Sequence, residues 1–228
     1  MLTYRRTLAA STLAVAVLTA TACTPGSEAP GGGGGTGGKP AAHGTALAAV
    51  DTLTVKGRAP KTGYEREKFG RAWVDVDGNG CGTRDDILKR DLTGVRFTDG
   101  HCKVASGTLT DDPYTGTTVR YVRGRSKVDI DHVVALSDAW QKGAQKWDGE
   151  TRRRFANDPL NLLAVDSATN RRKSDGDAAT WLPPNRAYRC TYVARQIAVK
   201  KKYGVWVTAG ERDAMKRVLG ACPQQKLP

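Results

Sequence analysis

Histidine is scarce in this chain, with three in 228 residues, and that scarcity limits where a base active near neutral pH can sit. There is no C-x-x-C pair, which excludes the usual cysteine framework of a structural zinc site. Neither G-x-S-x-G nor H-E-x-x-H occurs, so the serine-hydrolase elbow and the zinc-protease helix are both missing. No internal repeat is present, which removes the solenoid and propeller classes. The main apolar run, Leu8 to Ala20, is too short and too alanine-rich for a membrane span.

That run instead reads as an export signal. Arg5 and Arg6 precede it, and small residues follow up to Ala22. Residues 1–22 are therefore assigned to a signal peptide. Cys23 follows Ala20-Thr21-Ala22, which resembles a bacterial lipobox with Ala20 where leucine is usual. Two outcomes stay open: lipidation at Cys23, which would hold the protein on the outer face of a membrane, or release outside the cell. Residues 23–44 include Gly31 to Gly35, Gly37 and Gly38, a composition expected to form a disordered linker. Residues 45–228 suffice for one domain with its own core.

Acidic residues are outnumbered. The chain has 36 Lys and Arg against 23 Asp and Glu, and removing the signal takes two arginines and no acid, leaving a net +11. Such a balance favours a polyanion as partner. Four cysteines follow Cys23: Cys81, Cys102, Cys190 and Cys222. An even number in an exported chain predicts disulfides. Three pairings are open. The local one, Cys81 with Cys102 and Cys190 with Cys222, is the expected one, because each pair brackets neighbouring elements. No protein partner is implied, so a monomer is expected.

The periodicity predicts an α+β domain. A short element at 45–54 leads in, and 64–73 reads as a helix with Phe69 and Trp73 on one face. A helix is expected over 84–92 and short strands over 94–111, 117–123 and 128–134. Ser137 is placed as the N-cap of a helix carrying Ala139, Trp140 and Ala144. Further helices are expected at 149–156, after the cap Asp166, at 185–203 and, from a Thr208–Glu211 capping box, up to Leu219. A strand over 162–165 precedes Asp166.

Of the three histidines, His43 lies in the linker and His101 adjoins Cys102, neither with a catalytic partner in sequence. His132 stands in the β-branched run Val128-Asp129-Ile130-Asp131-His132-Val133-Val134 beside Asp131. Asn161 and Asn170 follow, the second leading Arg171-Arg172-Lys173. Taken singly these are ordinary residues: a core histidine, a turn asparagine, a solvated basic face. Together they give a strand with Asp-His, a second strand after Asn161 and a helix bearing Asn170. A hairpin and one helix can aim side chains at one point without a deep pocket, which suits a long polymer.

This arrangement resembles the HNH, or ββα-metal (His-Me finger), nuclease motif, with its core at about 120–180 and additional helices around it. The wider stretch, with Ala156-Asn157-Asp158-Pro159, Trp181-Leu182-Pro183-Pro184 and the paired cysteines, resembles the C-terminal nuclease domain of GmrSD-type restriction enzymes. Exported bacterial HNH endonuclease proteins share that pattern. The resemblance implies a metal-dependent endonuclease acting on DNA, with RNA left open as an alternative substrate, leaving a 5′-phosphate and a 3′-hydroxyl. It implies that Asp131 and Asn170 hold one Mg²⁺ or Mn²⁺, that His132 is the general base, and that Asn161 orients it. Arg171, Arg172 and Lys173 are implied to contact phosphates. Many members have histidine where Asn170 stands.

A second pattern lies upstream. Asp75, Asp77, Asn79 and Gly80 fit positions 1, 3, 5 and 6 of an EF-hand loop, which raises a structural Ca²⁺. Asp86 stands at position 12 in place of glutamate, and the plainer reading is a turn-rich loop stapled by Cys81. Arg84 is a further candidate for nucleic-acid contact. The competing functional class is a basic, non-catalytic envelope protein that binds extracellular nucleic acid.

Overall fold

The computed structural model describes residues 44–228. The signal, the Cys23 lipidation site and nearly all of the expected linker fall outside the described residues. The class is α+β, as the periodicity implies. In order the elements are α1 (Ala46–Val50), α2 (Thr83–Asp91), β1 (Thr93–Phe97), β2 (Val104–Leu109), β3 (Val119–Val122), β4 (Val128–His132), α3 (Leu136–Gln141), α4 (Gly149–Ala156), β5 (Leu162–Asp166), α5 (Ser167–Lys173), α6 (Arg189–Tyr203) and α7 (Ala209–Gly220).

Two antiparallel sheets form. One has three strands in the order β1-β2-β3, the other is the β4–β5 pair. The pair runs from Val128 opposite Asp166 to His132 opposite Leu162. Leu162 to Val165 is apolar without alternation because both faces of β5 are covered. Val128, Ile130, Leu162 and Ala164 pack with α2 and the three-stranded sheet. Leu163 and Val165 pack with residues of α1, α6 and α7. The next loop residue but one, Val134, joins a third cluster with Phe69, Trp140 and Phe155. The hairpin thus lies where the packing clusters meet.

The outer edge of β5 is closed by side chains, which answers the usual hazard of an unpaired strand edge there. Asp91 accepts from Ala164 N at 2.9 Å, and Asp112 accepts from Asp166 N at 2.9 Å. Arg90 and Arg195 both donate to the Leu162 carbonyl.

Local chemistry corrects three expectations. Residues 64–73 form only one 3₁₀ turn, Arg66–Phe69, because Gly70 departs at φ 79° and ends it. Phe69 is buried as expected, while Trp73 leaves the helical region altogether, at φ 60°. Ser137 lies inside α3, whose N-cap is Ala135; the Ser137 hydroxyl donates to Asp175 instead. Thr208 does cap α7 by accepting from Glu211 N, but the Glu211 side chain turns into the core, so only half of the capping box forms.

Glu211 joins a buried ionic cluster. Lys142 Nζ lies 2.7 Å from Asp138, 2.8 Å from Asp177 and 2.6 Å from Glu211. Lys200 pairs with Glu211 at 2.9 Å, and Arg58 reaches Asp138 and Asp177. Burial alone would lower the Lys142 pKa, but Asp138, Glu211 and Asp177 outweigh it and the value rises. The disulfides Cys81–Cys102 and Cys190–Cys222 are both present. The second joins the start of α6 to the residues after α7.

Candidate active site

Alternation along β4 places Asp129 and Asp131 on one face. Helical spacing places Asn170 and Lys173, three residues apart, on one face of α5. The two faces meet side by side. Asn170 Nδ2 donates to Asp129 at 3.3 Å, and Lys173 Nζ donates to Asp131 Oδ1 at 3.0 Å. Lys173 also donates to the His132 carbonyl at 2.9 Å. The second oxygen of Asp131 accepts from the Tyr114 hydroxyl at 2.5 Å. Tyr114 is itself buried, with Trp181 and Tyr192 edge-on to its ring.

The two residues expected to share a metal are therefore not partnered with each other. Asp131 faces Lys173 and Tyr114, and Asn170 faces Asp129. Burial raises the Asp131 pKa, against the opposing pull of Lys173 and the Tyr114 hydrogen bond. Lys173 is fully buried, so the expected phosphate contact is not available to it. Its place on the inward face of α5 is the reason.

His132 is 7 % exposed, and its Nε2 lies 2.8 Å from the Ala156 carbonyl. A carbonyl can only accept, so Nε2 carries the hydrogen and Nδ1 keeps the lone pair in the neutral ring. Burial lowers the His132 pKa to about 4, and Arg66 and Lys173 add to that. Burial therefore favours the neutral imidazole at neutral pH.

Asn161 is fully buried. Its Oδ1 accepts from Val134 N at 2.9 Å and its Nδ2 donates to the Val134 carbonyl at 3.3 Å. Its own carbonyl accepts from Val133 N. The asparagine thereby holds the backbone that leaves β4 immediately after His132.

A cleft of about 500 Å³ opens over this group, lined by Asp129, Asp131, His132 and Asn170, with Lys61, Arg66 and Arg84 on its walls. Asp129 and Asn170 are only half-buried. Since an amide's oxygen and nitrogen are assigned by their partners, these two can offer two oxygen donors to a hard cation. Among the described residues no group of three or more His, Cys, Asp or Glu is placed to hold a metal. With only two protein oxygens, a cation here would have to keep most of its water, a coordination Mg²⁺ accepts. Asp131 also lines the cleft, with one lone pair on each oxygen already engaged, by Lys173 and by Tyr114.

Of the basic candidates, Arg84 lines the cleft and Arg172 lines a neighbouring one with Arg58 and Lys61. Arg171 is exposed and donates to Ser167. The upstream loop does gather Asp75, Asp77, Asn79 and Asp86. Asp75 accepts from Gly78 N and Gly80 N, and Asn79 Nδ2 bridges Asp77 and Asp86. The loop's own amides meet these carboxylates. Sequence reasoning passed over Asp129, Tyr114 and Trp73. The alternation that places Asp131 also places Asp129, so that signal was present; Tyr114 and Trp73 reach the site only through tertiary packing.

Residues 82–218 match the family described as GmrSD restriction endonucleases, C-terminal domain. The chain belongs to that family. It is also 41 % identical over 180 residues to a protein of the fungus Arthroderma benhamiae described as an uncharacterized secreted protein, covering 78 % of this chain and 85 % of that one. That relative is described as secreted and is fungal, so it lends no support to the expectation of a bacterial protein. Among the described residues no helix is long and apolar enough to cross a membrane.

Proposed function

We propose that this protein is an exported, metal-dependent HNH endonuclease that hydrolyses phosphodiester bonds in DNA, with RNA left open as an alternative substrate. The observation that carries the reading is the neutral, carbonyl-anchored His132 beside Asp129, Asp131 and Asn170 in one basic-walled cleft. A polyanion is drawn to Arg66, Arg84 and Lys61. His132 Nδ1 takes a proton from water as its oxygen bonds to phosphorus. The bond from phosphorus to the 3′ oxygen breaks, leaving a 5′-phosphate, and the 3′ oxygen collects a proton from solvent. A bound Mg²⁺ or Mn²⁺ would stabilise charge on the phosphate and the leaving oxygen. Asp129 and Asn170 would hold it, with Asp131 beside them as a further oxygen donor.

The engagement of Asp131 by Lys173 and Tyr114 favours one second reading, a basic module that binds nucleic acid without cutting it. One experiment separates the two. Supercoiled plasmid, single-stranded DNA and RNA are incubated with the protein across metals, beside His132→Ala. Metal-dependent nicking that disappears in the variant supports the nuclease. Salt-sensitive binding without nicking supports the module, and undiminished cleavage by His132→Ala removes His132 from its role.

A further inference from the structure

Among the described residues, two that are not glycine have positive φ: Trp73 at 60° and Ser174 at 52°. Both line the cleft that holds His132. A bulky side chain in that region costs about 1–3 kcal/mol and persists only where its surroundings over-determine it. The surroundings of Trp73 do so. A Cβ at Gly82 would stand 2.8 Å from the Trp73 carbonyl oxygen, so the chain behind Trp73 approaches as only glycine permits. The next residue is fixed from two sides: Asn157 accepts from Val74 N at 3.2 Å, and the Thr83 hydroxyl donates to the Val74 carbonyl.

What this backbone achieves is the placement of one ring. The Trp73 indole lies within 17° of parallel to the His132 imidazole, with 6.3 Å between ring centroids, inside the range of offset stacking. The Arg84 guanidinium lies over the indole at 5.7 Å. The imidazole of His132 otherwise makes one hydrogen bond, to Ala156. That bond lies across the ring from Cβ, so the two together leave rotation about the Cβ–Cγ bond as the main freedom of the ring plane. A second ring alongside fixes the plane.

We infer that Trp73 is the positioning residue of His132, holding the plane of the imidazole so that Nδ1 meets the attacking water at a constant angle. This rests on His132 being the general base. Trp73 touches neither substrate nor reacting atoms in this role, and its effect falls on turnover rather than on binding.

The test uses the full chain with Trp73→Leu, which keeps apolar bulk, and Trp73→Phe, which keeps an aromatic face. Steady-state cleavage of a short oligonucleotide is measured beside the ring-proton NMR signals of His132, one of three histidines. Trp73→Leu is expected to lower kcat by about 10- to 100-fold, as a modest misplacement does, with KM within about twofold of wild type. Trp73→Phe should recover most of the loss. The His132 signals should move in the leucine variant, as ring-current shielding is lost, and less in the phenylalanine variant. A rise in KM at constant kcat would overturn the inference and make Trp73 a substrate contact. Unmoved His132 signals in Trp73→Leu would overturn it whether or not the protein cleaves. Absence of cleavage by wild type would instead remove the nuclease reading, and the NMR comparison would still decide whether Trp73 sets the ring.

Discussion

Lys173 Nζ sits 3.0 Å from Asp131 Oδ1, with side-chain exposures of 0 % and 7 %. The pair locks the last turn of α5 onto β4 just before His132, because the same ammonium also bonds to the His132 carbonyl. A buried ion pair contributes little net stability by itself, but breaking one side strands the other charge.

Replacing Lys173 with methionine should therefore cost about 3–5 kcal/mol of folding free energy. Adding Asp131→Asn should return part of it, since the stranded carboxylate is gone. Urea denaturation of the single and double variants measures this. Equal stability of Lys173→Met and wild type would show the pair to be dispensable.

Asn161→Ala removes an acceptor and donors from a fully buried site. The Val134 N–H and carbonyl, left without that partner, then cost about 1–3 kcal/mol each. Both the melting temperature and cleavage should fall, the latter because the chain leaving His132 loses its anchor. A variant that keeps full activity and stability would show that Val133 and Val134 hold their course without it.

Acid should destabilise the fold in a defined window. His132 titrates near 4 when folded and near 6.5 when not. Between those values the unfolded chain binds a proton that the folded chain refuses. Stability from this group is complete above pH 6.5 and falls with pH down to about 4, by up to about 1.4 kcal/mol per unit. Asp177 is held to about 2: burial raises it, but Lys142 and Arg58 pull it down further. Its contribution is present above the ordinary carboxylate value and is lost as pH falls through 2. Denaturant midpoints at pH 7, 5.5 and 4.5 test the first window; a flat profile there would contradict the burial of a neutral His132.

Removing the Cys190–Cys222 bridge, by serine at both positions, should cost about 2–4 kcal/mol. The bridge closes the α6–α7 pair, whose apolar faces cover one side of β5. Thermal unfolding with and without reductant checks it, and an unchanged transition would assign the pair's cohesion to packing alone.

Much of this was legible because it was local. The cysteine spacing fits neighbouring elements, the β-branched alternation marks β4, and Asp166 announces α5 by its capping chemistry. The illegible parts depend on residues far apart in the chain. Lys173 follows two exposed arginines and looks like their continuation, yet the helical turn points it inward to meet Asp131. Lys142 shows one partner at helical spacing, Asp138, while Asp177 and Glu211 arrive only on folding. Trp73 fits a helical face with Phe69 until Gly70 redirects the chain, and no periodicity encodes that turn.

Among the described residues six carboxylates are buried, Asp112, Asp131, Asp138, Asp158, Asp177 and Glu211, against three lysines, Lys142, Lys173 and Lys200. Folding thus hides more acid than base. The groups that surrounding molecules can touch are more cationic than the sequence total implies. Outside a cell, such a coat adsorbs to any anionic polymer at low salt and lets go as salt rises. If the protein is released from the cell, ionic strength would then set how far it travels.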